Sequence, residues 1–204
     1  MIQLPRLYAI VDRSRFSREE ELLSTAQELS AAGLPLLQYR DKSESGRTVL
    51  RLALLLRRQL GGSLRLIMND RADLARAADF GGVHVGQEDL SVEGARKVIG
   101  PSLWLGVSTH CPEQVAEADP TSADYIAIGP VFPTSSKARP DPVVGLAGVR
   151  RVRRLTRKPL VAIGGITRQN CRSVLEAGAD SVAVISDLLP EPRKSAEEFL
   201  RILE

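Results

Sequence analysis

PLVAIGGITRQNCRSVLEAGADSVAVIS, residues 159–186, contains a complete strand–helix–strand unit. Its outer segments, PLVAIGG (159–165) and DSVAVIS (180–186), are short and almost wholly apolar, which is typical of parallel strands buried on both faces. The segment between them, TRQNCRSVLEAG (167–178), predicts an amphipathic helix that ends at a glycine. A helix that connects two such strands predicts a parallel β-sheet covered by helices.

The same alternation of strand and helix runs through the whole chain. The six apolar segments that precede this unit are LYAIVD (7–12), PLLQYR (35–40), LRLIMND (64–70), GGVHVG (81–86), LWLGVS (103–108) and DYIAIG (124–129). The predicted helices are 17–33, 46–62, 71–79, 92–100, 111–119, 145–156, 167–178 and 194–204. Ser17 and Glu20 predict a capping box at the start of the first of these helices.

Eight strands that are each followed by a helix predict a closed (β/α)8 barrel of the α/β class. An open, doubly wound sheet is the alternative, but eight units in 204 residues suit a closed barrel better. No linker or repeat interrupts the pattern, so we expect residues 1–204 to form a single TIM-barrel domain.

Composition limits the classes of function that are open to the chain. No apolar run has the length that a bilayer requires, and the N-terminal segment lacks the pattern of a signal peptide. We therefore expect a cytoplasmic protein without membrane contact. Cys111 and Cys171 lie far apart in the sequence with no nearby histidine, so they predict neither a zinc site nor a disulfide framework.

The positive charge is concentrated in the segment RRVRRLTRK, residues 150–158. Its helical spacing, with Val149, Val152 and Leu155 available for the buried side, predicts a solvent-exposed helix face. The whole chain has only one tryptophan, three tyrosines and four phenylalanines, so aromatic residues for stacking on single-stranded nucleic acid are scarce. We do not expect nucleic acid as a partner.

In closed barrels of this kind the functional groups come from the carboxyl ends of the strands and the following loops. The polar residues and glycines at these positions are Gln38, Arg40, Asp41, Lys42, Asn69, Asp70, Gln87, Glu88, Asp89, Ser108, Thr109, His110, Thr134, Ser135, Ser136, Lys137, Gly164, Gly165, Ser186 and Asp187. All of them are expected on one rim, which is therefore the predicted active site.

Two sides of this rim predict anion binding. The ends of strands seven and eight are a common phosphate site in this fold, and Gly164 and Gly165 would let a phosphate approach the backbone closely. On the other side, the carboxylates of Asp70 and Asp89 end adjacent strands, and such oxygen ligands, completed by substrate phosphates, suit Mg²⁺. Two anion sites indicate two phosphorylated substrates.

The basic residues beside these carboxylates, Arg40, Lys42 and Lys137, predict that pyrophosphate is the leaving group. A surface salt-bridge network that includes Arg40, Asp41, Lys42 and Asp70 is the alternative interpretation. No Ser-His-Asp or Cys-His arrangement is evident, and such a displacement needs no covalent nucleophile because stabilisation of the departing charge supplies most of the catalysis.

The ordered set of motifs resembles the thiamine-phosphate synthase family. The segments that carry the resemblance are LYAIVD, LQYRDK, IMNDRADLA, GGVHVGQEDL, GVSTH, ADYIAIGPVFPTSSK, VAIGGIT and GADSVAVIS, which follow in this order between residues 7 and 186. The resemblance implies a (β/α)8 transferase of thiamine biosynthesis that uses Mg²⁺. Its members join a hydroxymethylpyrimidine diphosphate to thiazole phosphate and release pyrophosphate, through a pyrimidine-methyl cation that the thiazole nitrogen captures.

The resemblance also implies roles for individual rim residues. The pyrimidine diphosphate would be bound by Gln38, Arg40, Lys42, Asn69, Ser108 and Lys137. Ser108 and Lys137 would act as catalytic residues near the leaving group, and Asp70 and Asp89 would be the Mg²⁺ ligands. The thiazole phosphate would be bound by Thr134, Ser136, Gly165, Ile185 and Ser186.

The related thiazole tautomerases are the alternative function. They share the barrel and the thiazole-phosphate site, form no carbon–nitrogen bond, and tend to lack the metal and pyrophosphate residues that this chain retains at Asp70, Asp89 and Lys137. His110 would either transfer a proton, as in such an enzyme, or only help to start the next helix. His84 faces either the pyrimidine or the barrel core, and the oligomeric state is left open.

Overall fold

The computed structural model describes residues 2–42, 45–134 and 141–204. In these residues eight parallel strands form a closed barrel in chain order, and β1 pairs with both β2 and β8. The strands are β1 (Leu7–Asp12), β2 (Leu36–Arg40), β3 (Arg65–Asn69), β4 (Gly82–Val85), β5 (Trp104–Thr109), β6 (Tyr125–Ile128), β7 (Leu160–Ile163) and β8 (Ser181–Val184). The predicted (β/α)8 barrel is confirmed, and the open-sheet alternative is wrong.

A helix follows each strand. The helices are α1 (Glu19–Ala31), α2 (Gly46–Leu60), α3 (Ala72–Ala77), α4 (Val92–Ile99), α5 (Pro112–Ala118), α6 (Gly145–Arg153), α7 (Cys171–Glu176) and α8 (Pro192–Leu203). Short 3-10 turns at Arg13–Arg15 and Ser186–Leu188, which the sequence patterns did not predict, follow β1 and β8. No helix in the described parts of the chain is long and apolar enough to span a membrane.

Two details of the helix predictions are wrong. The backbone N–H groups of Ser17 and Arg18 donate to the Glu21 carboxylate, at 3.2 and 3.3 Å, because α1 begins at Glu19 and Glu21 is its third residue. The capping carboxylate is therefore not that of Glu20. Leu155 is 42% exposed because α6 ends at Arg153 and the chain beyond it leaves the helical register.

The barrel separates two apolar cores. Alternate strand residues point inward, and the small interior cluster consists of Leu4, Tyr8, Ile10, Leu36, Ile67, Tyr125, Ala127, Val161 and Ala183. A larger cluster fills the space between the strands and the surrounding helices. Because parallel strands share one direction, all eight carboxyl ends meet at one rim, and the inward alternation continues there into polar side chains.

The register of β4, β5 and β6 brings three interior residues into one row. His84 is aligned with Gly106, and Gly106 is aligned with Tyr125. A Cβ atom on Gly106 would overlap the Tyr125 ring and the His84 Nδ1 atom. The glycine therefore leaves the space in which these two large polar side chains meet across β5.

Candidate active site

The described rim residues predicted from the sequence lie at or just after the carboxyl ends of their strands, as expected. Within β2, Gln38 is buried at the inner wall while Arg40 ends the strand. Asn69 is the last residue of β3, and Ser108 is the second-last residue of β5. Ser135, Ser136 and Lys137 lie outside the described residues, so the roles expected for Ser136 and Lys137 stay predictions.

The two predicted metal ligands are neighbours in the structure. The carboxyl groups of Asp70 and Asp89 are in hydrogen-bonding contact, and Lys42 Nζ lies 2.9 Å from Asp70 Oδ2. The Gly86 N–H donates to Asp89 Oδ2 at 2.8 Å and orients this carboxylate. The adjacent ends of β3 and β4 thus bring two acids and one lysine to a single point on the rim.

The surroundings of this pair change both acidities. Burial and the contact with Asp89 raise the pKa of Asp70 to about 6, although Lys42 opposes the change. Burial alone would raise the pKa of Asp89, but hydrogen bonds from Asp70 and Gly86 lower it below its usual range. Two carboxyl groups this close favour a shared proton, or a cation, over two uncompensated negative charges.

The donor set fits a magnesium ion that is shared with a substrate. No group of three or more His, Cys, Asp or Glu side chains within residues 2–42, 45–134 and 141–204 is arranged to hold a metal. Mg²⁺ is commonly bound by one or two carboxylates, with water and substrate phosphates as the other ligands. Asp70 and Asp89 match this pattern, and a diphosphate would supply the oxygen atoms that the protein does not.

A buried ion pair supports the rim between β1 and β2. Asp12, which the sequence analysis did not single out, ends β1, is 2% exposed and forms an ion pair with Arg40. Its other oxygen accepts hydrogen bonds from the backbone N–H and the hydroxyl of Ser14, at 3.0 and 2.7 Å. Within the postulated surface network, Arg40 therefore pairs with Asp12, while Lys42 pairs with Asp70.

Asn69 carries a buried donor that a ligand could satisfy. Its Nδ2 atom has no hydrogen-bond partner in the part of the chain that the structure describes. Unpaired buried donors are costly, and they occur in functional sites where a ligand completes them. Since Asn69 directly precedes Asp70, this donor lies beside the carboxylate pair.

A chain of hydrogen bonds crosses the barrel interior beneath the rim. Gln38 Nε2 donates to the Tyr8 hydroxyl at 2.8 Å, and the Tyr8 and Tyr125 hydroxyls are 3.1 Å apart. Tyr125 Oη lies 3.2 Å from His84 Nδ1, and His84 Nε2 lies 2.8 Å from Ser108 Oγ. His84 therefore occupies the barrel core and also touches Ser108, which is an expected substrate-binding residue.

Burial keeps every titratable member of this chain neutral near pH 7. Desolvation lowers the pKa of His84 to about 4, although the negative charge of Asp89 opposes the change. Desolvation raises the pKa of both Tyr8 and Tyr125 above the usual tyrosine value. The sequence indicated neither tyrosine as a site residue, because each lies near the start of an apolar strand, away from the carboxyl end where site residues are expected.

The opposite side of the rim contains the glycine pair. Gly164 and Gly165 have φ angles of 100° and 64°, and a Cβ on Gly165 would lie 2.5 Å from the Pro133 carbonyl oxygen. Only glycine fits this close approach between the loops after β6 and β7. Thr134 follows on the first loop, while Ile185 and Ser186 follow β8, so these expected phosphate-binding residues belong to one corner of the rim, formed by the loops after the neighbouring strands β6, β7 and β8.

An ion-pair cluster joins the loop after β7 to the 3-10 turn after β8 at this corner. The backbone N–H and the guanidinium Nε of Arg168 donate to Asp187 Oδ2, at 2.8 and 3.1 Å. Arg168 Nη1 also lies 2.5 Å from Glu198 on α8. Arg168 thus ties the loop that contains Gly165 to the 3-10 turn that contains Ser186.

His110 is used within the fold. Its Nδ1 atom lies 2.6 Å from the Gly129 carbonyl oxygen, and its backbone N–H donates to Gln114 Oε1 at 2.7 Å. The second bond satisfies a donor at the start of α5, as the structural interpretation of this histidine predicts.

Sequence comparison identifies the family. A profile of the family described as thiamine monophosphate synthase matches residues 7–188. The chain is 60% identical to the thiamine-phosphate synthase of Koribacter versatilis, over 99% of its own length and 97% of that relative. The chain belongs to the thiamine monophosphate synthase family. A second member, the thiamine-phosphate synthase of Shouchella clausii, is 42% identical over 90% of this chain and 88% of its own.

Solved structures agree with this membership of the thiamine monophosphate synthase family. Thiamine phosphate pyrophosphorylase from Pyrococcus furiosus superposes with a TM-score of 0.86 at 35% identity, covering 97% of this chain and 95% of its own. A 3-hexulose-6-phosphate synthase, 16% identical with a TM-score of 0.75, shares the fold alone. The two sequence relatives are thiamine-phosphate synthases and the Pyrococcus furiosus structure is a thiamine phosphate pyrophosphorylase, so the tautomerase alternative gains no support from them.

Proposed function

We propose that this protein joins a hydroxymethylpyrimidine diphosphate to thiazole phosphate and releases pyrophosphate, forming thiamine phosphate. The observation that carries the proposal is the contact between the Asp70 and Asp89 carboxyl groups, with Lys42 beside them, at the rim of a barrel of this family. A diphosphate with a divalent cation is the ligand that this combination of charges recognises best.

Asp70 and Asp89 would hold Mg²⁺, and Lys42 would move from Asp70 to the diphosphate oxygens. When bound, Mg²⁺ would supply charge neutralisation for the departing pyrophosphate. The Asn69 amide, whose nitrogen is buried without a partner among the described residues, would donate to the same substrate. We assign Gln38 and Arg40 on β2, and Ser108 on β5, to the same pyrimidine-diphosphate site, since these strands flank β3 and β4 on either side.

Catalysis would depend on charge stabilisation and exclusion of water. The leaving group departs with its electron pair, and the thiazole nitrogen donates its lone pair to the resulting pyrimidine-methyl cation, so no protein nucleophile is consumed. The barrel interior below the rim is filled with buried side chains, which would keep water from reaching this cation from that side. Lys137, expected beside the leaving group, lies outside the described residues and stays a prediction.

The thiazole phosphate would bind at the corner formed by Thr134, Gly165, Ile185 and Ser186, with Ser136 as a further predicted contact. Gly165 supports this assignment through its position, since its positive φ and its packing against Pro133 set the course of the loop whose backbone N–H groups would face the anion.

The test is a coupled assay with purified protein, both substrates, and Mg²⁺ omitted and then restored. We expect pyrophosphate release and thiamine phosphate formation only when both substrates and the metal are present. Isomerisation of a carboxylated thiazole phosphate without coupling to the pyrimidine would instead establish a tautomerase and contradict the proposal.

The remaining expectations have different support. We also propose that residues 1–204 are one domain, which is supported by the pairing of β1 with β8 and by the packing of α8 against α1. The cytoplasmic location and the lack of a nucleic-acid partner stay predictions.

The basic helix α6 has contacts within the fold. Arg153 pairs with Asp180 at 2.8 Å, and Val149 and Val152 are buried, which supports a structural role for this helix over nucleic-acid binding.

A further inference from the structure

We propose that Tyr8, Tyr125 and His84 are positioning residues that make the Ser108 hydroxyl a hydrogen-bond donor toward the diphosphate substrate. The inference rests on the proposed function for the identity of the substrate. It goes beyond that function because it assigns a role to buried residues of the barrel interior. The direction of the hydrogen bonds between these residues determines whether the Ser108 hydroxyl donates its hydrogen to the substrate or to His84.

The direction begins at Gln38. Its Nε2 atom can only donate, and it lies 2.8 Å from the Tyr8 hydroxyl oxygen. Tyr8 is 1% exposed, and its hydroxyl also lies 3.1 Å from that of Tyr125. If Tyr125 donated to Tyr8, the Tyr8 hydrogen would be buried without an acceptor in the described chain. Tyr8 therefore donates to Tyr125.

The same reasoning continues to the rim. Tyr125 accepts from Tyr8 and must place its own hydrogen on its second partner, His84 Nδ1, at 3.2 Å. A neutral imidazole that accepts at Nδ1 carries its hydrogen on Nε2. This atom lies 2.8 Å from Ser108 Oγ, so His84 donates to Ser108.

Ser108 is the last residue of this hydrogen-bond chain. Its Oγ atom accepts from His84, so its own hydrogen is free to be donated to another group. It is partly exposed near the end of β5, where the predicted substrate lies. With the opposite histidine tautomer, Nε2 would accept the Ser108 hydrogen and draw it into the barrel. The chain thus prepares a donor for a substrate lone pair before the substrate binds.

Gly106 supplies independent support for a functional contact here. A side chain at this position would overlap both Tyr125 and His84, so the glycine in β5 leaves the space in which these two polar groups meet. An apolar interior would be packed more simply by a larger residue at position 106 and by apolar residues opposite it.

The direct test is the tautomer of His84 in the substrate-free protein, measured by ¹⁵N NMR of histidine-labelled protein. The chain contains two histidines, and His110→Gln assigns the second signal. We expect the hydrogen of His84 on Nε2. A hydrogen on Nδ1 overturns the proposal, whether or not the protein is an active synthase, because this measurement needs no substrate.

The kinetic test is a double-mutant cycle. We expect Tyr125→Phe to lower kcat/KM for the pyrimidine diphosphate by about 10- to 100-fold, the effect of losing one hydrogen bond to a charged group, with the KM for thiazole phosphate unchanged. Tyr125→Phe should add less than about 2-fold in a Ser108→Ala background, because residues that act through one contact are not additive.

Tyr39→Phe is the matched control. Tyr39 is also fully buried, and its hydroxyl donates to Asp41 at 2.9 Å, outside the chain that leads to Ser108. We expect it to keep wild-type kinetics. Equal losses from Tyr125→Phe with and without Ser108 would indicate a general packing role and overturn the proposal. If Tyr125→Phe does not fold, the tautomer of the wild-type protein still decides.

Discussion

Replacement of His84 by glutamine should make the stability of the protein less sensitive to acid. His84 is 7% exposed and burial lowers its pKa to about 4, against an unperturbed value of 6.5. Between these two pH values the unfolded chain binds a proton that the folded protein excludes. The free energy of unfolding therefore falls as the pH falls through this window, because protonation favours the unfolded state.

The size of the effect follows from the shift. Each pKa unit corresponds to about 1.4 kcal/mol, so the full loss attributable to His84 is about 3 kcal/mol once the pH is below 4. Other groups also titrate in acid, but they are common to both proteins. The wild-type advantage over His84→Gln should therefore shrink by about 2 kcal/mol between pH 7 and pH 4.5.

Urea denaturation of both proteins at pH 7, 5.5 and 4.5 measures this difference. Val85→Ala, in the same strand and also buried, is the control, since it removes packing without a titratable group. Its stability difference from wild type should be the same at the three pH values. A His84→Gln difference that stays constant to within about 0.5 kcal/mol would refute a neutral, desolvated histidine in the barrel.

Two further substitutions test the supports of the rim. Arg168→Met should raise the KM for thiazole phosphate about 10-fold, because the loss of its charged hydrogen bonds to Asp187 releases the glycine loop from the turn after β8. Arg193→Met, at an exposed pair on α8, should have no effect, and equal KM values in the two variants would contradict this role. Arg40→Met should lower the free energy of unfolding by about 3 to 5 kcal/mol, since it leaves the buried Asp12 carboxylate without its cationic partner. Adding Asp12→Asn should recover most of this loss in urea denaturation. A loss below about 1 kcal/mol would instead indicate a solvated pair.

The sequence predicted the barrel well because its strands are buried on both faces. Each apolar run marks a strand within one or two residues at either end, as for LYAIVD and Leu7–Asp12. Once eight parallel strands are recognised, their carboxyl ends must share a rim, which brings Asp70 and Asp89 together without further information.

The interior chain could not be predicted in the same way. Tyr8, His84 and Tyr125 come from β1, β4 and β6, and their contacts depend on barrel closure and on the gap at Gly106. Periodicity shows only that each side chain points inward, not which others it reaches. Asp12 was missed for a related reason, because its partner Arg40 is adjacent only through the pairing of β1 with β2.

Helix ends were also beyond sequence reasoning alone. The helical spacing of apolar residues continues past Arg153 in the sequence, but α6 ends at Arg153 and Leu155 is exposed. Similarly, Glu20 and Glu21 are both plausible capping residues until the first helical residue is known.

The most direct test of the central claim is the Mg²⁺ dependence of pyrophosphate release in wild type, Asp70→Asn and Asp73→Asn. Asp73 is a nearby exposed carboxylate that pairs with Arg71 at 2.6 Å, so its variant controls for the loss of a negative charge. We predict that Asp70→Asn raises the half-saturating Mg²⁺ concentration at least about 10-fold, while Asp73→Asn matches wild type. An Asp70→Asn enzyme with wild-type turnover and wild-type Mg²⁺ dependence would contradict a magnesium-assisted synthase site at Asp70 and Asp89.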